Sequence, residues 1–295
     1  MLGKKLSETI RPSVRNSNFP SNHKVPQIIK PITKPTILII HGAYFTPEAW
    51  QPFIHSLSQA GFEAHCPRLP TCGDKNHPTG TFADCRPASA TFDDDVKAVR
   101  KKAIEIAGAE RSIIVLAHSY GGVVAADAID GELCAHIRPP GTGGVIQLVL
   151  LSAWLPLKDN SLRDCLELHG FKSECDIGYN ENGTATLKNP TETLFNDVRP
   201  LVHADELAAA TVTHNAAATG HKIKTAPWVK VPTTYIHCKQ DKAIFPELQE
   251  SMVRDAVLIG GAKGLRTETL DAGHCPFLSM PSELIGVIQK VAASV

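Results

Sequence analysis

The chain has 295 residues, of which 43% are hydrophobic and 20% charged, and its formal net charge at pH 7 is zero. This length suffices for one large α/β domain or two small ones, and the composition is ordinary for a globular protein. The balanced charge argues against nucleic acid or an anionic membrane as the main partner, and no apolar run is long enough to predict a membrane-spanning helix.

Residues 1–35 differ in composition from the rest of the chain. They contain seven lysines and arginines but a single acid, Glu8. They lack the apolar segment of a secretory signal, and Pro20, Pro26 and Pro31 favour extended backbone. We therefore expect a flexible N-terminal extension on a cytoplasmic protein, with an organellar targeting sequence as the alternative.

The eight cysteines form no CxxC pair and no His/Cys cluster of the kind that binds zinc. The chain is therefore expected to need no metal or other cofactor. Without a secretory signal we expect reduced thiols. A local disulfide stays possible among Cys66, Cys72 and Cys85, or between Cys165 and Cys175.

The first part of the chain alternates between strand and helix patterns. Thr36–Ile40 is a short apolar run that predicts a central parallel strand. Apolar residues at helical spacing follow over 46–60, and residues 62–66 predict the next strand. A second helix is predicted to begin at Thr91, which is a favourable N-cap residue followed closely by three aspartates.

This alternation continues to the end of the chain. The predicted strands cover 113–118, 145–154, 233–238 and 264–270, and the final helix covers 281–294. Alternating strands and helices predict an α/β fold with a doubly wound, mostly parallel sheet.

One interval is too long to be a single crossover between strands. The segment 156–229 is predicted to form a small cap over the strand ends, since a plain crossover helix needs far fewer residues. Within it, residues 176–187 resemble a hairpin, and residues 204–219 are among those predicted to be helical. The core domain is accordingly expected to consist of residues 36–155 and 230–295.

The most informative stretch of the chain is 113–122, which reads IIVLAHSYGG. An apolar strand pattern ends here at Ser119, and a helix-like segment follows. A serine on such a strand-to-helix turn is typical of a nucleophile elbow, with the N-terminus of the next helix behind the hydroxyl. Because similar strings occur by chance, this interpretation depends on a base, an acid and oxyanion donors elsewhere in the chain.

His274 and Asp241 are the candidate base and acid. Each follows a predicted strand, so each is expected at the same edge of a parallel sheet as Ser119. A histidine there can accept the serine proton, and a carboxylate can hold the imidazole in the required tautomer. The chain order Ser119, Asp241, His274 is the nucleophile–acid–base order of one known enzyme architecture.

Candidate oxyanion donors follow the first strand and the serine. The backbone N–H groups of Ala43 and Tyr120 are expected to converge on the carbonyl oxygen of a bound acyl group. His41, which precedes Gly42 and Ala43, is interpreted as a structural brace for these loops and not as a proton-transfer residue.

Together these motifs resemble the α/β-hydrolase superfamily over about residues 36–295. The motifs that carry the resemblance are His41-Gly42-Ala43, AHSYGG around Ser119, CKQDKAI around Asp241, and Gly273-His274. Further stretches resemble uncharacterised fungal and bacterial hydrolases that are distantly similar to plant methylesterases and hydroxynitrile lyases. The resemblance implies the α/β-hydrolase fold with a small, mainly helical cap, and a carboxylester-type hydrolase with the three roles given above.

We therefore expect a serine hydrolase that cleaves a small or mid-sized carboxylic ester or lactone through an acyl-enzyme. Its substrate pocket is predicted to include Tyr44, Phe45, Trp154 and Leu187. The expected partner is this small-molecule substrate, with no nucleic acid and no membrane, and a homodimer is left open.

Two alternatives use the same fold. One is a carbon–carbon bond hydrolase, lyase or cyclase with the same triad, and the other is a receptor-like ligand-binding protein. Hydroxynitrile lyases generally carry a lysine shortly after the final histidine, whereas Cys275-Pro276-Phe277 follows His274 here, which argues against that activity.

Overall fold

The computed structural model describes residues 34–73 and 88–294. The strands, in chain order, are β1 (Thr36–Ile40), β2 (Ala64–His65), β3 (Cys72–Gly73), β4 (Ser112–His118), β5 (Gly144–Leu151), β6 (Ile177–Tyr179), β7 (Thr184–Leu187), β8 (Thr213–Asn215), β9 (Thr233–Cys238) and β10 (Arg266–Leu270). The α-helices are α1 (Gln51–Gln59), α2 (Phe92–Gly108), α3 (Gly121–Ala128), α4 (Leu162–His169), α5 (Pro190–Thr193), α6 (Leu201–Ala209), α7 (Pro246–Leu258), α8 (Pro276–Ser279) and α9 (Pro281–Ala292). Short 3₁₀ helices cover Pro47–Trp50, Gly131–Leu133, Ala216–Gly220 and Pro227–Val229.

The larger sheet has the strand order β10-β9-β5-β4-β1-β2, and every pair in it is parallel. Parallel strands point the same way, so the carboxyl ends of β1, β4, β5, β9 and β10 meet at one edge. This is the edge at which ligands bind in open α/β sheets.

Both faces of this sheet are covered, which explains why its strands are apolar throughout. Alternate residues of β1 and β4 belong to two separate apolar clusters. One cluster includes side chains of α2, α3 and α7, and the other includes side chains of α1 and α9. The doubly wound architecture predicted from the sequence is therefore the observed one.

A second, smaller sheet is antiparallel, with the order β3-β8-β7-β6. The predicted hairpin is present, since Ile177 pairs with Leu187. The helix predicted over 204–219 is wrong in its second half, because α6 ends at Ala209 and β8 follows. The alanine-rich sequence favours a helix, but β8 pairs with both β7 and β3, so contacts with distant residues override the local preference.

The described residues, 34–73 and 88–294, form one compact unit. The division into a core and a 156–229 cap stays a prediction, and most of the proposed N-terminal extension lies outside the described residues. In the described residues, no helix combines the length and apolarity needed to cross a membrane. Cysteines in these residues carry no disulfide, and Cys85 lies outside them.

Candidate active site

Ser119 occupies the turn between β4 and α3 in a strained backbone conformation. Its φ of 53° lies in the left-handed region, which a residue with a side chain adopts at a cost of about 1–3 kcal/mol. The turn is held in place because the Ser119 N–H donates to Leu151 O at 3.3 Å and the Ser119 carbonyl accepts from Trp154 N–H at 3.1 Å. Ser119 thus lines a cavity at the carboxyl edge of the sheet.

Two glycines allow the chain to approach this serine closely. A Cβ on Gly42 would lie 2.9 Å from Ser119 Cβ, and a Cβ on Gly121 would overlap the carbonyl of Ile40. Gly42 follows β1, so its lack of a side chain lets the loop after β1 lie directly against the elbow. Gly42 and Gly121 are therefore required for a steric reason, because a side chain at either position would clash with its neighbours.

His274 and Asp241 form a buried pair at the same edge. Nδ1 of His274 lies 2.8 Å from Oδ2 of Asp241, and each residue is 1% exposed. The other carboxylate oxygen of Asp241 accepts the N–H groups of Ala243 at 2.8 Å and Ile244 at 2.9 Å. This arrangement fixes the carboxylate and directs the Nδ1 proton of a neutral His274 toward it.

Ser119 and His274 line the same cavity. Among the described residues, the side chains of Ser119 and His274 form no hydrogen bond with each other.

Gln249 of α7 supports the acid and had no signal in the sequence. It is fully buried, and its Nε2 donates to Asp241 Oδ2 at 3.1 Å and to Ile244 O at 2.7 Å. Its Oε1 accepts the N–H of Cys238 at 3.1 Å. A buried amide satisfied on both sides cannot easily rotate, so it holds the Asp241 carboxylate in one position.

The backbone around His274 is fixed from two sides. Its carbonyl accepts hydrogen bonds from His118 Nε2 at 2.9 Å and from Ser152 Oγ at 3.1 Å. The N–H of the preceding residue, Gly273, donates to Asp197 Oδ2 at 2.7 Å. Asp197 belongs to the segment predicted as a cap, so this segment contacts the histidine loop directly.

Ala43 and Tyr120 line the same cavity as Ser119. Within the described part of the chain neither backbone N–H has a hydrogen-bond partner, so both are available to a ligand oxygen. The Tyr120 side chain is anchored, because its hydroxyl donates to Asp95 Oδ2 at 2.9 Å. Burial raises the pKa of the Asp95 carboxyl to about 6, with hydrogen bonds from Thr71 and Tyr120 acting in the opposite direction.

His41 has the environment of a structural residue. It is fully buried, its Nε2 accepts the N–H of Leu69 at 3.2 Å, and its Nδ1 lies 2.9 Å from Gly42 O. These contacts require a neutral ring that donates from Nδ1. Burial lowers the pKa of His41 to about 4, which suits a brace between loops and not a proton carrier near neutral pH.

The cavity has a volume of about 210 Å³ and a mainly apolar wall. Tyr44, Trp154 and Leu187, which we predicted to contact substrate, line it. Side chains of α4, β6 and the loop after β9 add to the apolar wall, namely Leu162, Leu166, Ile177 and Ile244.

The expectation that Phe45 lines this pocket is corrected by the structure. Phe45 is 4% exposed, and its ring packs edge-to-face against His118, Phe195 and Phe277 at 5.8, 6.0 and 5.9 Å. The preceding Tyr44 has a φ of 67°. The chain turns at Tyr44, so the Tyr44 side chain lies on the cavity wall and the Phe45 side chain lies in the core.

A search of the described residues for three or more His, Cys, Asp or Glu side chains able to share a metal ion finds none.

The chain is similar to known hydrolases over most of its length. The sequence profile of the alpha/beta hydrolase family matches residues 37–287. Probable hydrolase R7 of Phoma sp. is 30% identical over 265 residues, which is 88% of this chain and 99% of that protein. Alpha/beta hydrolase nvfD of Aspergillus novofumigatus is 25% identical over 262 residues, or 88% of this chain and 97% of that protein.

A solved structure of polyneuridine aldehyde esterase has the same fold. It superposes with a TM-score of 0.65 at 20% identity, covering 88% of this chain and 100% of that one. The family profile spans the part of the chain that contains Ser119, Asp241 and His274. The chain therefore belongs to the alpha/beta hydrolase family.

Proposed function

We propose that this protein is a serine hydrolase that cleaves a small or mid-sized carboxylic ester or lactone. In this proposal Ser119 attacks the carbonyl carbon of the substrate while His274 accepts the hydroxyl proton. Asp241 keeps His274 in the tautomer that presents an unprotonated Nε2 and stabilises the imidazolium that forms. The observation that carries the proposal is the buried 2.8 Å contact between Asp241 and His274 beside the cavity that Ser119 lines.

Charge develops on the substrate carbonyl oxygen during this attack. The N–H groups of Ala43 and Tyr120 are the proposed donors to that oxygen. Each is worth about 10²–10³ in rate if it resembles other oxyanion-hole donors. Support for this role comes from the position of both residues on the cavity wall and from the anchoring of Tyr120 by Asp95.

His274 then protonates the leaving alkoxide, and the acyl group stays on Ser119 as an ester. A water molecule, deprotonated by His274, attacks this acyl-enzyme and releases the carboxylic acid. For a lactone the acid and the alcohol remain in one product molecule. Both half-reactions use the same proton carrier and the same oxyanion donors.

The decisive experiment compares Ser119→Ala with wild type on p-nitrophenyl butyrate and on a small lactone. We expect kcat to fall by at least about 10⁴-fold, since removal of a catalytic serine has effects of this size or larger. Ser173→Ala is the matched control, because Ser173 is another serine that lines the cavity. It should retain most of the activity.

Covalent labelling gives an independent readout. A fluorophosphonate probe should add once to wild type and to Ser173→Ala, and mass spectrometry should map the adduct to the peptide containing Ser119. If Ser119→Ala kept its activity, or if the probe labelled nothing, the serine mechanism would be wrong. Absence of labelling by the probe, together with tight ligand binding, would favour a receptor-like role.

A further inference from the structure

We propose that the natural substrate carries a carboxylate, and that Arg163 of α4 binds it at the wall of the active-site cavity. The inference rests on the proposed function, because it names the class of ester or lactone that the same cavity accepts. It makes Arg163 a specificity-determining residue, separate from the residues that carry out the reaction.

The side chains of the cavity wall favour an anionic ligand. Among the described residues that line the cavity there is no aspartate or glutamate, and Arg163 is the one lysine or arginine. The remaining wall is largely apolar, apart from hydroxyl and thiol groups and His274. A wall with one fixed positive charge and no carboxylate of its own favours an anionic ligand and disfavours a cationic one.

Neutral groups of the chain hold the Arg163 side chain in position. Its Nη2 donates to Ala216 O and to Thr219 Oγ1, both at 2.7 Å, and its Nε donates to Thr219 Oγ1 at 2.9 Å. These acceptors are neutral, and Ala216 and Thr219 themselves line the cavity. The guanidinium is therefore fixed in orientation while its charge stays unneutralised.

Some arginines of the described residues differ in this respect, whereas Arg138 and Arg199 also donate to backbone carbonyls. Arg68, Arg100 and Arg111 each form an ion pair with a carboxylate, at 2.6, 2.6 and 2.8 Å. Within the described residues no carboxylate pairs with Arg163, and its Nη1 makes no hydrogen bond. A pre-oriented guanidinium with a free N–H edge matches the planar, two-oxygen geometry of a carboxylate and loses little side-chain freedom on binding it.

Arg163 is nevertheless an exposed side chain. Water and salt screen such a charge, so its contribution to binding is modest and falls as ionic strength rises. We therefore expect a preference among substrates and not an absolute requirement for a carboxylate. The apolar side chains Leu162 and Leu166, on the same helix, are expected to contact the uncharged part of the substrate.

The test uses pairs of esters that differ only in a terminal carboxylate. Mono-p-nitrophenyl adipate is compared with p-nitrophenyl hexanoate, and mono-p-nitrophenyl suberate with p-nitrophenyl octanoate. A third pair, 4-(hexanoyloxy)benzoate and p-tolyl hexanoate, places the carboxylate in the alcohol half. For each pair kcat/KM is measured with wild type, Arg163→Gln and Arg163→Lys at low and at high salt.

We expect Arg163→Gln to lower kcat/KM for the carboxylate member of at least one pair by about fivefold or more at low salt. The neutral member should change by less than about twofold, since the apolar wall is intact. Arg163→Lys should keep part of the preference, because it keeps the charge but loses the planar fork. High salt should reduce the wild-type preference and leave Arg163→Gln unchanged.

Lys222→Gln is the matched control. Lys222 is also a cation of the 156–229 segment, but it pairs with Asp164 at 3.5 Å and does not line the cavity. The inference is wrong if Arg163→Gln lowers both members of every pair equally, or if Lys222→Gln has the same selective effect. Ser119→Ala separates the two proposals: if it still cleaves these esters the serine mechanism fails, whereas an inactive Ser119→Ala with an unselective Arg163→Gln contradicts only the role of Arg163.

Discussion

Nδ1 of His274 lies 2.8 Å from Oδ2 of Asp241, and both side chains are shielded from water. The opposite oxygen of Asp241 is occupied by two backbone N–H groups, and Gln249 contacts Oδ2 as well. A carboxylate with this many fixed donors has one orientation. The imidazole is therefore held in one plane, with its second nitrogen directed away from Asp241.

Asp241→Asn tests whether activity requires the tautomer of His274 that carries its proton on Nδ1. The Asn side chain can present an N–H to His274 Nδ1 and so place the His274 proton on Nε2, where it cannot accept a proton from Ser119. We expect kcat for p-nitrophenyl butyrate to fall by about 10³–10⁴ with a much smaller change in KM. Asp271→Asn, at an exposed position close to His274 in sequence, is the control and should behave as wild type in the same steady-state assay.

Gly42→Ala should impair activity through a steric effect. The new methyl group would lie 2.9 Å from Ser119 Cβ and 3.1 Å from His118 Nδ1, so the loop that carries Ala43 must move. We expect a loss of kcat of about 10²-fold or more, because small displacements of catalytic groups have effects of this size.

Gly286→Ala is the matched control for that variant. Gly286 lies within α9, and a Cβ there would meet nothing within 4 Å. It should leave activity unchanged and stabilise the protein by about 0.5–1 kcal/mol, measured by urea unfolding. Equal activity in the two variants would contradict the close approach of the loop to the elbow.

Asp197 is expected to be a positioning residue for His274. Its Oδ2 accepts the Gly273 N–H and the Ser279 hydroxyl, both at 2.7 Å. Asp197→Ala removes both acceptor contacts, so we expect kcat to fall about 10- to 100-fold while KM for a small ester changes little.

Ser279→Ala separates the two contacts of Asp197. It removes the hydroxyl donor but leaves the bond to Gly273, and should keep kcat close to wild type. If both variants lost kcat equally, the relevant contact of Asp197 would be the one with α8 and not the one with the histidine loop. Thermal unfolding of both variants shows whether the protein is folded at the assay temperature.

The buried side chain of His214 is expected to make the folded state less stable at acidic pH. It is fully buried, and in the described residues neither ring nitrogen has a hydrogen-bond partner. Burial lowers the pKa of His214 to about 3, far below its ordinary value. The unfolded chain therefore binds a proton at this residue below about pH 6.5 while the folded chain does not, so the free energy of unfolding falls as pH falls through this window.

His214→Leu removes this proton uptake. The difference in unfolding free energy between pH 7.5 and pH 5 should be smaller than in wild type by up to about 2 kcal/mol. Urea unfolding at the two pH values measures it. His55→Gln, at an exposed position of α1, is the control and should leave the pH dependence as it is in wild type. An unchanged dependence in His214→Leu would show that His214 is charged or water-bound in the folded protein.

The sheet and the strand ends were predictable because the signals there are local. The bounds of β1 and β9 coincide with the predicted strands, and α2 begins directly after Thr91, whose N–H and hydroxyl both donate to Asp94 Oδ2 at 3.0 and 2.8 Å. Fully buried parallel strands are apolar throughout, and helix starts have recognisable caps. Strand β8 was missed because its pairing partners lie far away in the sequence.

The amino-acid sequence by itself determined the family and the order of Ser119, Asp241 and His274 along the chain. It could do so because residues that end successive parallel strands must meet at one edge, whatever the details of packing. Only the tertiary structure decided which side chains support them. Asp197 contacts the loop of His274, and Gln249 contacts Asp241. Asp197 is remote in sequence from the loop that it contacts, and Gln249 lies on a different element from Asp241, so no local pattern encodes these contacts. The same holds for Phe45 and Tyr44, which are neighbours in the chain yet lie in the core and on the cavity wall, respectively.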